Sequence, residues 1–411
     1  MKYLIEAPQE IPVKGEYDVV VLGGGPAGVS AAFSASRAGA KTAIIERYGY
    51  LGGQATGGLV ILIVGLTDGK ERIIKGFCEE TINRLKHLKA VKEIDLHVLF
   101  DPESMKYVFD CMIEENKVTP YYHSYVSNAI ISETNIVGVI IDGKSGRSII
   151  KGHVFIDATG DGDLAKYCNI PFDIENNDNL MPVTLGFRVG GIDINKVRQY
   201  TNENKTEYLN LLNELGISTK IGGWIETLHP NEAWFNISNI ENINSICSKD
   251  LTKAEIQGRK QIFKIIEFFR KAIPGFKNGY LIDTASQIGV RDSRRIKGVY
   301  HFTKDDLTKN FDDTIALAPN YTGIGQGSVK IPYGCLITKK YKNVIFAGRC
   351  ISVSHELINM IREIPCCMAT GQAAGIAAAI SIKNIPGHFA SAGMVNIETL
   401  RKELLSQGAI L

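Results

Sequence analysis

The stretch VVVLGGGPAGVSAAFSASRAGAKTAIIE, residues 19–46, constrains the fold more than any other part of the chain. It runs an apolar strand into three consecutive glycines, continues as an alanine-rich helix and closes on a second apolar strand that ends at a single carboxylate. Strand, tight turn, helix and strand in this order form a βαβ unit, which requires a parallel sheet. Gly23, Gly25 and Gly28 fit the spacing G-x-G-x-x-G. The first permits the tight turn, the second lets backbone approach a pyrophosphate, and the third lets the helix pack on the strand. Pro26 and Ala27 open the helix, whose first amides face the phosphates. Glu46 lies eighteen residues past Gly28, where a carboxylate accepts the hydroxyls of an adenosine ribose and disfavours a 2′-phosphate. A solvated glutamate after an ordinary βα turn is the plainer alternative, and the strand, helix and acid together stand against it.

The residues after Glu46 bear on which dinucleotide this is. An NAD domain would continue its alternating unit, whereas Arg47 leads into YGYLGGQATGGL, a second glycine-rich loop that suits a longer ligand. Residues 72–117 read as helices, for instance DPESMKYVFDCMIEENK, where Met105, Val108, Phe109 and Met112 recur at helical spacing behind Pro102. From Pro120 the period changes to two, with breaks at TN, DGKSG and KG, which predicts a small antiparallel meander leading into one more buried strand at 153–157. The middle of the chain is more polar and carries an amphipathic helix, KAEIQGRKQIFKIIEFFRKAI, stopped by Pro274 and Gly275. Near the end, NVIFAGRCIS is again strand then turn, and PCCMATGQAAGIAAAIS is a helix with Pro365 in its first turn.

With 411 residues the chain exceeds what one core usually fills, so two domains, or one large domain with an insertion, are expected. The predicted class is α/β: a Rossmann-like domain with a parallel sheet and a small meander, built from residues 1–171 and completed by 333–411, with an α+β substrate domain inserted at 172–332. A net charge of +2 gives no bias toward nucleic acid. The longest apolar run, LVILIVGL, is too short to span a bilayer, so a cytoplasmic location with no membrane partner is expected. Eight cysteines without a C-x-x-C pair fit neither a disulfide framework nor a zinc site, and no metal is expected. The vicinal Cys366 and Cys367 read as buried small residues, because adjacent cysteines at a helix start are strained as a disulfide.

LGGQATGG, IDATGDGDLA, QIGVRDSRRIKGVY, IPYGCLI and FAGRCISVSHELINMIREIPCCMATGQAAGIAAA, together with the opening unit, resemble the flavoproteins with the glutathione-reductase-like FAD fold. Within them the chain is similar to the bacterial FAD-dependent oxidoreductase family allied to the fumarate reductase flavoproteins, least so over residues 172–280. The resemblance implies FAD as cofactor. Gly23, Gly25, Gly28 and Glu46 would hold its ADP half, with Pro26, Ala27 and Arg47 beside them. Gly52, Gly53 and Gln54 would line the flavin, and Thr159, Gly160 and Asp161 the ribityl chain and pyrophosphate. Gly348 and Arg349 would close over the cofactor, and the helix after Pro365, around Gly371 and Ala374, would aim its amide end at the flavin pyrimidine. Close packing explains the small residues of that helix equally well.

No second strand, G-x-G-x-x-G turn and helix comes later in the chain; TGIGQGS, the remaining candidate, has no strand run before it and reads as a loop. A built-in NAD(P)H domain is therefore not expected, and the flavin would be reduced by the substrate and reoxidised by oxygen, a quinone or a carrier protein. On the substrate side the resemblance points to Arg291 in RDSRR and Arg362 in NMIREIP, whose guanidinium forks suit a carboxylate. His355, the histidine beside a flavin motif, is the candidate acid/base. Where the family commonly carries an aspartate and a histidine before IPY, this chain reads NYTGIGQGSVK, which sets its substrate apart from the usual one. The expected activity is hydride transfer from a small anionic organic substrate to flavin N5. The alternatives are a fumarate-type reductase of a C=C bond, an NAD(P)H-dependent flavin monooxygenase and, from another class, a non-catalytic or RNA-modification flavoprotein, which would need a basic face. Oligomeric state is left open.

Overall fold

The computed structural model describes residues 4, 6–176, 179–217, 223–325, 327–383 and 391–411. The opening stretch forms the strand Val13–Leu22, the helix Pro26–Arg37 and the strand Thr42–Ile45, with the two strands paired in parallel. Val19, Val20, Val21 and Leu22 are fully buried, as a strand covered on both faces requires. Gly146–Asp157 lies along the other side of Val13–Leu22, Thr119–Tyr121 extends the far edge beyond Thr42–Ile45, and Val344–Phe346 pairs in parallel with the end of Gly146–Asp157. The C-terminal part of the chain thus completes the sheet begun at the N-terminus. Tyr125–Ser132 and Asn135–Gly143 add the antiparallel meander to the same seven-stranded sheet.

Three local expectations are corrected. Residues 119–121 belong to the parallel sheet and not to the meander. The KG at 151–152 breaks nothing: Gly146–Asp157 runs through it, because Gly152 passes close over Val20 and Phe155. Residues 72–117 contain the helices Phe77–His87 and Pro102–Glu115, but between them Val91–Ile94 and His97–Phe100 form a hairpin. Its turn places Asp95 at φ 50°, a left-handed conformation that aspartate tolerates and that ends helical periodicity.

The helix Ile364–Lys383 crosses Pro26–Arg37 at backbone contact. A Cβ on Gly371 would overlap the Ala27 carbonyl oxygen, one on Gly375 that of Ala31, and Ser30 Oγ donates to Met368 O at 2.6 Å. Among the described residues this is the helix long and apolar enough to cross a membrane, and 89% of its most apolar window is buried inside the fold.

The middle of the chain forms a four-stranded antiparallel sheet in the order Trp224–Glu226, Ala233–Phe235, Phe187–Gly190, Tyr280–Thr284. Phe187 and Phe235 stack on one face, where Phe235 also meets Phe269 of the helix Ser248–Ala272 and Phe276 after it. Cross-strand register places Ile225, Trp234, Arg188 and Asp283 on the opposite face. That face turns toward the dinucleotide fold: a Cβ on Gly186 would lie 3.2 Å from Trp234 Nε1 and 3.5 Å from the carbonyl oxygen of Gly58 in the second glycine-rich loop. Of TGIGQGS, residues 322–325 and Gly327 lie between the antiparallel strands Thr314–Pro319 and Ser328–Pro332 and Ser328 opens the second strand, so this stretch joins two paired antiparallel strands and opens no βα turn; Gln326 lies outside the described residues.

Candidate active site

Gly23 has φ +90°, and a Cβ there would come within 2.6 Å of Ala158 O. A Cβ on Gly28 would overlap the Gly23 carbonyl oxygen. Gly25 differs in kind, since no atom lies within 4 Å of where its Cβ would be. The helix that starts there has no side-chain cap and no acidic residue in its first turn, which leaves its amides open to an anion. Glu46 is buried beside this turn and accepts from Gly24 N at 2.6 Å and Tyr48 N at 2.9 Å. Burial pushes its carboxyl above the usual value, against the pull of those amides and of Arg47.

Distant segments converge on the same turn. Gly52 N donates to Gly24 O at 2.7 Å, and a Cβ on Gly53 would lie 3.1 Å from Gly25 Cα. Thr159 Cα lies 2.8 Å from the Cβ position of Gly23, and Thr159 Oγ1 bonds Asp157 at 2.7 Å. Asp161 pairs with Arg349 at 2.7 Å, the guanidinium also reaches Ser293 Oγ at 2.9 Å, and it covers Gly160. Gly348 approaches Ala27 and donates to Thr370 Oγ1 at 3.1 Å. Arg47 donates to Gln287 Oε1 at 3.0 Å and Gln54 Nε2 to Ile288 O at 3.2 Å.

Gly371 and Ala374 are placed differently from the rest. Both are buried in the interior of Ile364–Lys383, with Gly371 against Ala27. The amide of Cys367 is already bonded to Glu363 O, so the free amide end of this helix lies at residues 364–366, ahead of Gly371. Cys366 and Cys367 are free, buried thiols, and desolvation raises both, Cys367 to about 12. The open space at Gly25, the uncapped helix and the buried carboxylate at the end of the second strand together fit the ADP half of FAD.

On the substrate side Arg291 is only 8% exposed. It donates to Pro182 O and Thr184 Oγ1 at 2.6 Å each and to Asn236 Oδ1 at 3.3 Å. None of these partners is charged, and among the described residues no carboxylate forms an ion pair with it. Burial first, then the charge of Arg362, lowers its pKa to about 10 against the pull of Glu363, so it stays protonated at neutral pH. Arg362 donates to Asn359 Oδ1 at 2.9 and 3.1 Å and stands 3.9 Å from the Glu363 carboxylate. Burial raises the Glu363 carboxyl, opposed by both arginines. Tyr321 joins this group: a Cβ on Gly65 would lie 3.1 Å from its hydroxyl and 3.3 Å from Glu363 Cβ, and although the residue is 55% exposed, partial desolvation of the phenol together with Glu363 pushes it to about 12. Sequence reasoning missed Glu363 and Tyr321; the available signal was the position of Glu363 beside Arg362 at the start of a flavin-motif helix.

His355 Nε2 lies 2.7 Å from Oδ2 of Asp292, a fully buried carboxylate whose Oδ1 takes Arg295 at 2.8 Å. The His355 contact has ion-pair distance without hydrogen-bond alignment, which leaves both atoms without a hydrogen-bond partner among the described residues. His355 is 30% exposed. The two segments thus meet at Asp292 and His355, while Arg291 interacts with Arg362 and Glu363 through their charges alone. The other arginines of RDSRR are structural, Arg294 on Asp163 at 3.0 Å and Arg295 on Asp292 and Glu175.

The model of the family described as FAD dependent oxidoreductase matches residues 18–404. Over 157 residues the chain is 33% identical to dihydrolipoyl dehydrogenase 1, mitochondrial, of Arabidopsis thaliana, a match covering 35% of this chain and 28% of that protein. Over 42 residues it is 55% identical to dihydrolipoyl dehydrogenase of Trypanosoma brucei brucei, covering 10% and 9%. The chain therefore spans less than a third of the length of either curated relative in these matches. Among solved structures it is similar to a geranylgeranyl bacteriochlorophyll reductase-like protein from Thermoplasma acidophilum, with TM-score 0.54, 14% identity, and 95% and 84% of the two chains covered. A flavoprotein/dehydrogenase from Cytophaga hutchinsonii gives TM-score 0.51, 13% identity, and 94% and 83% covered. At these identities the two structures share the fold. The family match over most of the chain, on a dinucleotide cradle of this geometry, makes the protein a member of the FAD-dependent oxidoreductase family with FAD as its cofactor.

Proposed function

We propose that the protein oxidises a small anionic organic substrate, with bound FAD supplying the hydride acceptor at flavin N5. The observation that carries this reading is Arg291: a buried guanidinium with only neutral partners. A buried charge without a counter-ion costs several kcal/mol, and a substrate carboxylate offsets that cost by a two-point hydrogen bond. Arg362, electrostatically linked to Arg291, steers and orients the same anion, while Glu363 limits the positive charge when no substrate is bound. Removing a hydride from carbon also requires a proton to leave the neighbouring group, and His355, backed by the Asp292 carboxylate, takes it. The sheet containing Trp234 and the middle of the chain around it serve as the substrate domain. Oxygen, a quinone or a carrier protein then accepts the electrons, a reading supported by residues 322–325 and Gly327 lying between two paired antiparallel strands and not between a strand and a helix.

Reduction of a C=C bond, the reverse direction, is the second reading. Arg291, buried and bonded only to neutral groups, is the guanidinium that would deliver the proton in that direction. Anaerobic screening of metabolite pools tests the first reading. Anionic pools bleach the flavin of the wild type and not of Arg291→Met, which keeps its FAD. Equal bleaching of both by neutral compounds refutes the role of the arginine, and a donor-coupled assay with fumarate-like acceptors detects the reverse reaction.

A further inference from the structure

Two polar atoms near Arg291 are buried without a hydrogen-bond partner: Trp234 Nε1, a donor, and Gln54 Oε1, an acceptor. Trp234 is 7% exposed. Gln54 is oriented by its own Nε2, which donates to Ile288 O at 3.2 Å and leaves the oxygen as the free end of the amide. Both atoms border the same loop. The Gly186 position that a Cβ would fill lies 3.2 Å from Trp234 Nε1 and 3.5 Å from Gly58 O, and a Cβ on Gly58 would overlap Gln54 Oε1. The Gly289 position, next to Val290 and Arg291 in the chain, lies 3.4 Å from Gln54 Oε1 and 2.9 Å from the carbonyl oxygen of Thr184, the residue whose hydroxyl receives Arg291. Asn236, which accepts from Arg291, lies two positions after Trp234, the spacing that returns a side chain to one face of an extended segment. A buried cation whose hydrogen-bond partners are all neutral, an unused donor and an unused acceptor therefore lie on segments that meet where the glycine-rich loop packs on the inner face of the four-stranded sheet.

Buried polar groups are paired in folded proteins, and one left unpaired is costly. The ligand complementary to this set carries a negative charge for Arg291, an N–H or O–H to donate to Gln54 Oε1, and a lone pair to accept from Trp234 Nε1–H. A plain carboxylate supplies the first and cannot supply the donor. We infer that the substrate is a carboxylate bearing a hydroxyl or amino group close to the carboxyl, and that Trp234 and Gln54 select for that group. This rests on the proposal that the site oxidises an anion, and it names the anion's class. In the resting complex the two residues would orient the bond to be oxidised; as the adjacent C–H gives up its hydride to the flavin, the proton of the selected group leaves Gln54 Oε1 for His355, the base of the proposed reaction.

The test is binding of small acids to the FAD-loaded protein, measured by calorimetry and by perturbation of the flavin spectrum. The probes are lactate against propionate, malate against succinate, and alanine. In the wild type each hydroxy or amino acid binds at least about 10-fold more tightly than its unsubstituted partner, the loss expected when a hydrogen-bonding site meets a ligand that leaves its groups unpaired. In Trp234→Phe and in Gln54→Met, compared with the wild type at equal FAD loading, that preference collapses toward unity. Equal binding of substituted and unsubstituted acids by the wild type overturns the inference while leaving the anion site standing. Loss of FAD from either variant, with the preference intact in the remaining holoprotein, overturns it by assigning these atoms to the cofactor. If no acid of the panel binds, the reading of Arg291 as an anion site fails, and the inference with it.

Discussion

Substituting Gly25 tests the proposal that it faces the cofactor, against Gly28 and Gly371, which pack on backbone. Its backbone is extended, with φ −69° and ψ −178°, a conformation any residue adopts before a proline. A valine there meets no protein atom within 4 Å of its Cβ, so apoprotein stability should change by no more than about 1 kcal/mol, and toward greater stability, because the unfolded chain loses freedom. The same side chain fills the approach to the first helix amides, those of Ala27 and Gly28. Hydrogen bonds to a charged group are worth about 1.5–3 kcal/mol each, so losing two weakens FAD binding by about 3–6 kcal/mol, two to four orders of magnitude in Kd. Gly28→Ala and Gly371→Ala instead drive a methyl into the carbonyl oxygens of Gly23 and Ala27, and should lower the melting temperature of the apoprotein itself. Thermal unfolding of the apoprotein, read beside the FAD released on denaturation, distinguishes the two classes. A Gly25→Val protein that keeps a full complement of FAD refutes the assignment of that open space to the pyrophosphate.

Three further outcomes are expected. Arg291→Lys lowers kcat/KM by roughly 30-fold to several thousandfold, about 2–5 kcal/mol, with the flavin spectrum unchanged, since a point ammonium cannot reproduce the planar fork; full activity in steady-state assays would contradict this. His355→Ala slows turnover by about 10² to 10⁴ with FAD still bound, as measured by single-turnover flavin reduction. Burial first, and then the charges of Asp161 and Asp157, raise the Asp163 carboxyl from 3.8 to about 6. Folding therefore favours its protonated form, and that contribution is complete below about pH 4 and lost as pH rises through 6. Denaturant titrations of the apoprotein between pH 4 and 7 should show the decline, and Asp163→Asn should flatten it.

The features legible in the sequence were local. The βαβ opening, the meander strands, the helix behind Pro102 with Asp101 capping Ser104 N, and the helix stopped at Pro274 are all specified within a few residues of themselves. The cradle was legible for the same reason, because glycine spacing and a terminal acid encode a turn. The substrate side was not. Asp292 stands 63 residues before His355, and nothing local shows that it will be buried against it. Trp234 lies in a three-residue strand, too short for alternation to show, and its inward face is fixed by pairing with Arg188 and Ile225. The strands between the helices of residues 72–117 were hidden in the same way, since each spans four residues. Gly371 fits a motif, but its role is set by the helix it crosses, 344 residues earlier in the chain at Ala27.

Anaerobic mixing of the FAD-loaded protein with NADH, with NADPH and with small hydroxy and amino acids, monitored by flavin absorbance, tests the central claim most directly. Arg291 is a buried guanidinium with only neutral hydrogen-bond partners, and residues 322–325 and Gly327 lie between two paired antiparallel strands. The account predicts that at least one of the acids bleaches the flavin within the turnover time and that neither nicotinamide does. Rapid bleaching by NADH or NADPH, with the acids inert, would contradict it.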